Sequence, residues 1–256
     1  PYFDVTLPLK EQWMYQAVGD VILSHSLLLS FPEVDKKRTA LTGISWGGVL
    51  TSVATSLDHR FRAAVPVYGC GFLAESGRMK QQLDKLSLLE RETWIKQYDP
   101  SVYLSRAKCP VLFLNGTNDV HFYLPSMTQS AALVSKGQVL IKYKLRHGHG
   151  HGWNNQEIGT FIDHYLCNGP ALPKIKSLRL QDNILSVKAV SSSPVQKVVL
   201  YYTTDTNVEQ EKCEWHFVEA VPSGKEWKVE LPQKVVRWFV NVTDNSGNQL
   251  SGDLQE

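Results

Sequence analysis

The sequence predicts an α/β protein, the C-terminal half of a parallel sheet with flanking helices, followed by a small all-β sandwich. Three observations carry this expectation. The first is a short β-type segment, Arg38-Thr39-Ala40-Leu41-Thr42-Gly43-Ile44, that runs straight into Ser45-Trp46-Gly47-Gly48 and then a helical pattern. The second is the alternation that follows. Ala63 to Tyr68, Pro110 to Leu114 and Val139 to Leu145 are apolar runs with β-branched residues, separated by helical stretches, which implies parallel strands joined by crossover helices. The third is a change of pattern after Asn168-Gly169-Pro170-Ala171-Leu172-Pro173, where turn residues close a helix and short alternating runs take over.

The elements follow in order. Trp13, Ala17, Val18, Val21, Ile22 and Leu29 recur near helical spacing, so residues 11–30 should be a helix leading into the first strand. Residues 1–9 read as the tail of a strand or a loop. Between Gly71 and Ser105, helical patterns rich in Lys, Gln, Glu and Arg read as a cap over the strand ends. A further helix should run from about Gln156 to Cys167. In the β part, Leu178 to Leu180, Ile184 to Val190, Lys197 to Thr203, Trp215 to Val221, Trp227 to Leu231 and Arg237 to Thr243 read as strands of a small sandwich. The expected division is residues 1–172 and 173–256.

Gly43-Ile44-Ser45-Trp46-Gly47 has the form G-x-S-x-G, which places a serine on a sharp strand-to-helix turn flanked by small residues. The second apolar run after it ends at Asn115-Gly116-Thr117-Asn118-Asp119, and the third at His147-Gly148-His149-Gly150-His151-Gly152. In open parallel sheets, functional groups collect at the carboxyl ends of strands, and Ser45, Asp119 and the histidines all fall there. A serine hydroxyl is a weak nucleophile and requires a histidine to take its proton, with an acid to hold the imidazole. The chain order serine, acid, histidine is that of the α/β-hydrolases. The backbone N–H of Trp46 would donate to a developing oxyanion.

Three histidines compete for the base. His149 is the first choice because it leaves three residues of reach beyond Arg146; His147 is second and His151 third. A different reading takes His147, His149 and His151 as a metal cluster on one side of an extended segment. The intervening glycines speak against rigid presentation of three ligands, and neither metal nor cofactor is expected. His121 reads as an exposed loop residue that could instead lie near the pocket.

The segment Phe31 to Gly48, together with Leu57-Asp58-His59-Arg60-Phe61-Arg62 through Gly71, Asn115 to Asp119 and the His-Gly-His stretch before Trp153, resembles bacterial α/β-hydrolases of the acetyl xylan esterase and cephalosporin deacetylase group. Dienelactone-hydrolase-like and prolyl-oligopeptidase-like relatives are close in pattern. The resemblance covers roughly residues 11–175. It implies a hydrolase of esters, or less readily of amides, with a small-molecule or carbohydrate ester as substrate and a secreted or periplasmic location. It also implies that strands normally preceding the elbow strand, and the second oxyanion donor they carry, lie outside residues 1–37. The expectation is therefore the C-terminal part of a longer fold whose N-terminal part is required. Three functional readings stand: serine esterase, prolyl-oligopeptidase-type peptidase, and catalytically incomplete binding module.

Composition narrows the classes further. Twenty-seven Lys and Arg against 25 Asp and Glu give a net charge of +2, with no basic stripe interleaved with aromatics, so a nucleic-acid partner is not expected. No apolar stretch reaches the length of a membrane span, so no membrane partner is expected either. Cys70, Cys109, Cys167 and Cys213 lack C-x-x-C spacing and read as ordinary small apolar residues. Trp215, Trp227 and Trp238 read as core residues, with a sugar-stacking platform as the alternative. Asn241-Val242-Thr243 matches a glycosylation sequon but sits inside an expected strand, so chance is the better explanation.

Overall fold

In the computed structural model, residues 2–206 and 209–256 are described; Pro1, the first residue of the expected N-terminal tail, lies outside them. The rest of that tail forms turns rather than a strand. The helix α1 (Trp13–Leu28) begins where the Asp4 carboxylate accepts the Trp13 N–H at 3.1 Å. Then come β1 (Ala40–Ile44), α2 (Trp46–Leu57), β2 (Ala63–Val67), α3 (Gly77–Leu83), α4 (Leu88–Tyr98), β3 (Val111–Gly116), α5 (Leu124–Leu133), β4 (Gly137–Lys142), the short α6 (His149–Gly152) and α7 (Glu157–Cys167). The β part contains β5 (Lys174–Gln181), β6 (Ile184–Val190), β7 (Val195–Thr203), β8 (His216–Glu219), β9 (Val221–Ser223), β10 (Glu226–Glu230), β11 (Arg237–Asp244) and β12 (Gln249–Ser251).

Strands β1 to β4 pair in parallel in chain order, as expected from the crossover helices between them. Every residue of β2 and β3 is buried, because helices cover both faces, and this is why both read as continuous apolar runs. The core of this part is built on Val49, Val53, Val65, Phe113, Leu140 and Phe161. No helix among the described residues is long and apolar enough to cross a membrane.

The sheet does not stop at residue 172. β12 lies beside β4, and the order continues β12-β11-β7-β8, giving eight strands that change from parallel to antiparallel at the β4–β12 seam. Side chains close that seam. Ser251 Oγ accepts the Ile141 N–H at 2.7 Å, and Asn241 Nδ2 donates to the Ile141 carbonyl at 2.9 Å. Asn241 is 2% exposed and thus committed to packing, which disposes of the sequon. The other four strands form a separate antiparallel sheet, β5-β6-β10-β9. Its Leu185, Val187 and Val229 share a second core with Val198, Leu200, Val240 and Val242 of the large sheet. The run expected as one strand from Trp215 to Val221 is two short strands, β8 and β9, which belong to different sheets. Trp215 is 2% exposed and packs on Phe239 with ring centroids 5.4 Å apart, while Trp227 and Trp238 pack against the second core. Cys70, Cys109 and Cys213 are buried and Cys167 is exposed.

A buried polar clamp fixes α1 to the edge of the sheet. His25 Nδ1 donates to Asp58 at 2.7 Å, its Nε2 meets Thr39 Oγ1 at 2.9 Å, and its ring stacks on Phe61. Arg60 donates to both oxygens of the same Asp58 carboxylate, at 2.7 and 2.6 Å. One aspartate at the end of α2 thus joins α1, the approach to β1 and the approach to β2.

The glycines of the elbow divide their roles differently from the G-x-S-x-G expectation. A Cβ at Gly43 would lie 2.3 Å from the Gly47 carbonyl oxygen, so Gly43 is sterically required. A Cβ at Gly47 would meet nothing within 4 Å. The second tight position is Gly48, where a Cβ would lie 2.7 Å from the Val67 carbonyl and 3.0 Å from Gly69 Cα. Helix α2 therefore approaches the end of β2 backbone to backbone at Gly48. Gly48→Ala is expected to lower stability by roughly 1–3 kcal/mol through overpacking. Gly47→Ala should be neutral or stabilising by up to about 1 kcal/mol through helix propensity. Urea denaturation of the two variants checks this, and equal losses would place the requirement back on Gly47.

Candidate active site

Ser45 occupies a backbone conformation that side chains rarely adopt, φ 59° and ψ −120°. It is held there from both sides. Its N–H donates to the Val67 carbonyl at 2.9 Å, and its own carbonyl accepts the Gly48 and Val49 N–H groups at 2.8 and 3.1 Å. The strain lifts the hydroxyl above the carboxyl ends of the strands. Trp46 follows as the first residue of α2, so its N–H has no intrahelical acceptor. Its indole is packed among other aromatic rings. Tyr2 stacks on it with centroids 4.3 Å apart, and Trp13 and Phe3 meet it edge-on.

Asp119 is fully buried in the loop after β3. One carboxylate oxygen accepts the N–H groups of His121 and Phe122, at 2.6 and 2.9 Å. The other accepts from His147 Nδ1 at 2.9 Å. With Nδ1 donating to the acid, His147 Nε2 is left to accept from the Ser45 hydroxyl, and the two atoms are 3.1 Å apart. Serine, histidine and aspartate thus form one continuous hydrogen-bonded line.

His149, the first choice from sequence, is not in that line; His147, the second, is. The reach expected to be necessary is already supplied by the way two loops are stapled together. Asn118 N–H donates to the Leu145 carbonyl at 3.2 Å, the Lys144 N–H donates to Thr117 Oγ1 at 2.8 Å, and Gly116 packs where a Cβ would lie 2.0 Å from the Leu145 carbonyl. Two residues beyond Leu145 the chain is beside Ser45, and at His149 it has turned into α6. His149 is exposed, and His151 Nε2 donates to the Arg146 carbonyl at 2.6 Å. The turn also breaks the alternation on which a three-histidine metal face depends. No group of three or more His, Cys, Asp or Glu side chains that could hold a metal occurs among the described residues.

The residues around this line include several with no motif to mark them. His121, expected as an exposed loop residue, stands edge-on to His147 with centroids 4.6 Å apart. Burial and then the neighbouring His147 lower its pKa, which keeps the ring neutral near neutral pH. Tyr68 is fully buried at the end of β2 with a left-handed φ of 50°, its ring 4.9 Å from His147. Among the described residues its hydroxyl has no hydrogen-bond partner, and burial followed by the charge of Asp119 pushes its pKa up. The α3 end of the expected cap meets the acid loop, where the Arg78 N–H donates to the Val120 carbonyl at 3.0 Å. The β part reaches the same loop. Gln210 Nε2 donates to the Asp119 carbonyl at 3.1 Å and its Oε1 accepts the Leu124 N–H at 2.6 Å, while Asn118 Nδ2 donates to the Cys213 carbonyl at 2.9 Å.

A parallel sheet with a strained serine at the strand-to-helix turn after β1, and an acid and histidine at later strand ends, defines the class of serine hydrolases with the α/β-hydrolase fold. The model of the prolyl oligopeptidase family matches residues 7–163, more than half of the chain. The protein belongs to that family. Among solved structures, the fold is similar to an acetyl xylan esterase from Paenibacillus sp. R4, with 23% identity and a TM-score of 0.54 over 61% of this chain and 54% of that one. Acetyl Xylan Esterase 1 from Thermoanaerobacterium sp. JW/SL YS485 follows with 20% identity and a TM-score of 0.51, over 64% and 56% of the two chains. The Pyrococcus horikoshii acylaminoacyl peptidase has 23% identity and a TM-score of 0.50, over 58% of this chain and 28% of that one. The alignments thus span a little over half of each esterase and under a third of the peptidase. No curated protein matches the sequence significantly.

Proposed function

We propose that the chain carries the hydrolytic centre of a serine esterase that works through an acyl-enzyme, with Ser45 as nucleophile, His147 as general base and acid, and Asp119 as the group that orients the imidazole. The hydrogen-bonded line from Ser45 through His147 to Asp119 carries this reading. Ser45 Oγ attacks the acyl carbon while His147 Nε2 takes its proton, and Asp119 stabilises the imidazolium that forms. The oxyanion of the tetrahedral intermediate accepts the free Trp46 N–H. The intermediate collapses, the bond to the alcohol breaks, and His147 returns its proton to the departing oxygen. Water, deprotonated by His147, then attacks the acyl-enzyme and releases the acid and Ser45.

Short acyl groups on carbohydrate are the first candidate substrates, given the sequence resemblance and the likeness of fold to two acetyl xylan esterases. A peptidase is the second reading, and the prolyl oligopeptidase family match favours it. A fluorophosphonate probe tests the centre. The adduct is expected on the peptide containing Ser45 and should be absent in Ser45→Ala. An unlabelled Ser45 in folded protein would reject the hydrolytic reading in favour of a binding module. Turnover of p-nitrophenyl acetate without turnover of prolyl nitroanilides would separate ester from amide chemistry.

A further inference from the structure

Directly beside His147 lies a recess of about 400 Å³ lined by Arg78, Asn118, Arg146, His147, Glu211 and Lys212. Its walls come from four places in the chain: α3, the acid loop, the histidine loop and the turn after β7. Three cationic side chains face one carboxylate. Glu211 is engaged by the Tyr123 hydroxyl at 3.4 Å, and Lys212 is paired with Glu209 outside the recess at 2.5 Å. Arg78 and Arg146 are different. Among the described residues, neither guanidinium has a salt bridge or a side-chain hydrogen bond, and both are exposed to the recess and solvent.

The recess thus presents two guanidiniums without a partner among the described residues. Both line the recess that His147 also lines, so an anion held between them would sit next to the histidine. A guanidinium is a planar fork suited to a carboxylate. His147 also delivers its proton to the leaving group, so a recess walled by His147 lies on the leaving-group side of the bond being cleaved.

Building on the hydrolytic reading, we propose that Arg78 and Arg146 bind a carboxylate on the leaving group, so that the preferred substrates are acylated hydroxy acids, acidic carbohydrates among them, or acylated amino acids. The bound carboxylate supplies the partner that the two guanidiniums lack and holds the leaving group against His147. Ester and amide substrates share this feature, because both leaving groups would carry the same anionic end.

The test compares the acetyl ester of 4-hydroxybenzoate with that of its methyl ester, which has the same acyl group and a neutral leaving group. The ratio of kcat/KM for the two esters, acid over methyl ester, is expected to be roughly tenfold, the low end for a charge-assisted contact at a solvent-exposed site. It should fall toward one in the double variant Arg78→Gln/Arg146→Gln and at high salt. The ratio should stay unchanged in Arg179→Gln, a remote variant on the small sheet. Acetylated 4-aminobenzoate and its methyl ester, compared in the same way, distinguish an amide from an ester source of the carboxylate. Hydrolysis of both esters at equal kcat/KM would overturn the assignment of the recess and leave the hydrolytic centre standing. A tenfold preference that survives the double variant would also overturn it. Hydrolysis of neither ester, with Ser45 unlabelled by fluorophosphonate, would remove the hydrolytic reading and this inference with it.

Discussion

Replacing His147 by alanine is expected to lower kcat/KM for p-nitrophenyl acetate by roughly 10⁴-fold or more, the range seen when a triad base is removed. His149→Ala is expected to retain activity within about threefold. The difference follows from geometry. His147 has one ring nitrogen 3.1 Å from Ser45 Oγ and the other 2.9 Å from the Asp119 carboxylate, whereas His149 is an exposed residue at the start of α6. Without His147 the serine keeps its proton, and what remains is the contribution of Trp46 N–H and substrate binding. Circular dichroism of both variants separates a chemical loss from a folding loss. Collapse of activity in His149→Ala with retention in His147→Ala would show that the histidine loop rearranges when substrate binds.

Asp58→Ala should be strongly destabilising, lowering unfolding free energy by about 2–3 kcal/mol, because it leaves the buried His25 ring without its acceptor and removes the anchor of Arg60. The carboxylate receives Arg60 at both oxygens and His25 at 2.7 Å, and it is 6% exposed. Burial alone would raise its pKa, but the hydrogen bonds from Arg60 and His25 outweigh burial and hold it well below the usual carboxylate range. The sign of the pH dependence follows. A lowered folded-state pKa adds stability that is fully present above the unfolded value, about 3.9, and is lost as pH falls below it toward the folded value. Thermal denaturation at pH 7 and pH 3 should therefore show the gap between wild type and Asp58→Ala narrowing in acid. A gap under 1 kcal/mol at pH 7 would mean that the clamp is not a stabilising unit.

The parts of this fold that were legible in the sequence are those in which one local pattern suffices. The elbow, the parallel strands, α1 and α7 each follow from a periodicity or a motif with a steric cause. The location of Asp119 at the end of β3 is of the same kind. What stayed hidden depends on distant residues. β12 has only three residues, Gln249–Ser251, too short for alternation to show, yet it turns two sheets into one. Which of three histidines lines up with Ser45 and Asp119 is set by how closely Leu145 approaches Gly116, a distance that no spacing within the His-Gly repeat encodes. Gly48 rather than Gly47 is the tight position because of Val67 at the end of the following strand and Gly69 just beyond it. His25 and Asp58 sit 33 positions apart, so no local pattern pairs them until α1 is laid against the sheet.

The contacts made by Gln210 and Asn118 give the site an order in time as well as in space. Ribosomes deliver Ser45, Asp119 and His147 long before they deliver Gln210 and Cys213, the residues that tie down the acid loop. A nascent chain halted between these points already holds Ser45, Asp119 and His147, but the loop that carries Asp119 still lacks its fastening. The fastening therefore comes only after the serine, the acid and the histidine, when the strands that join the sheet at β12 have emerged to close it.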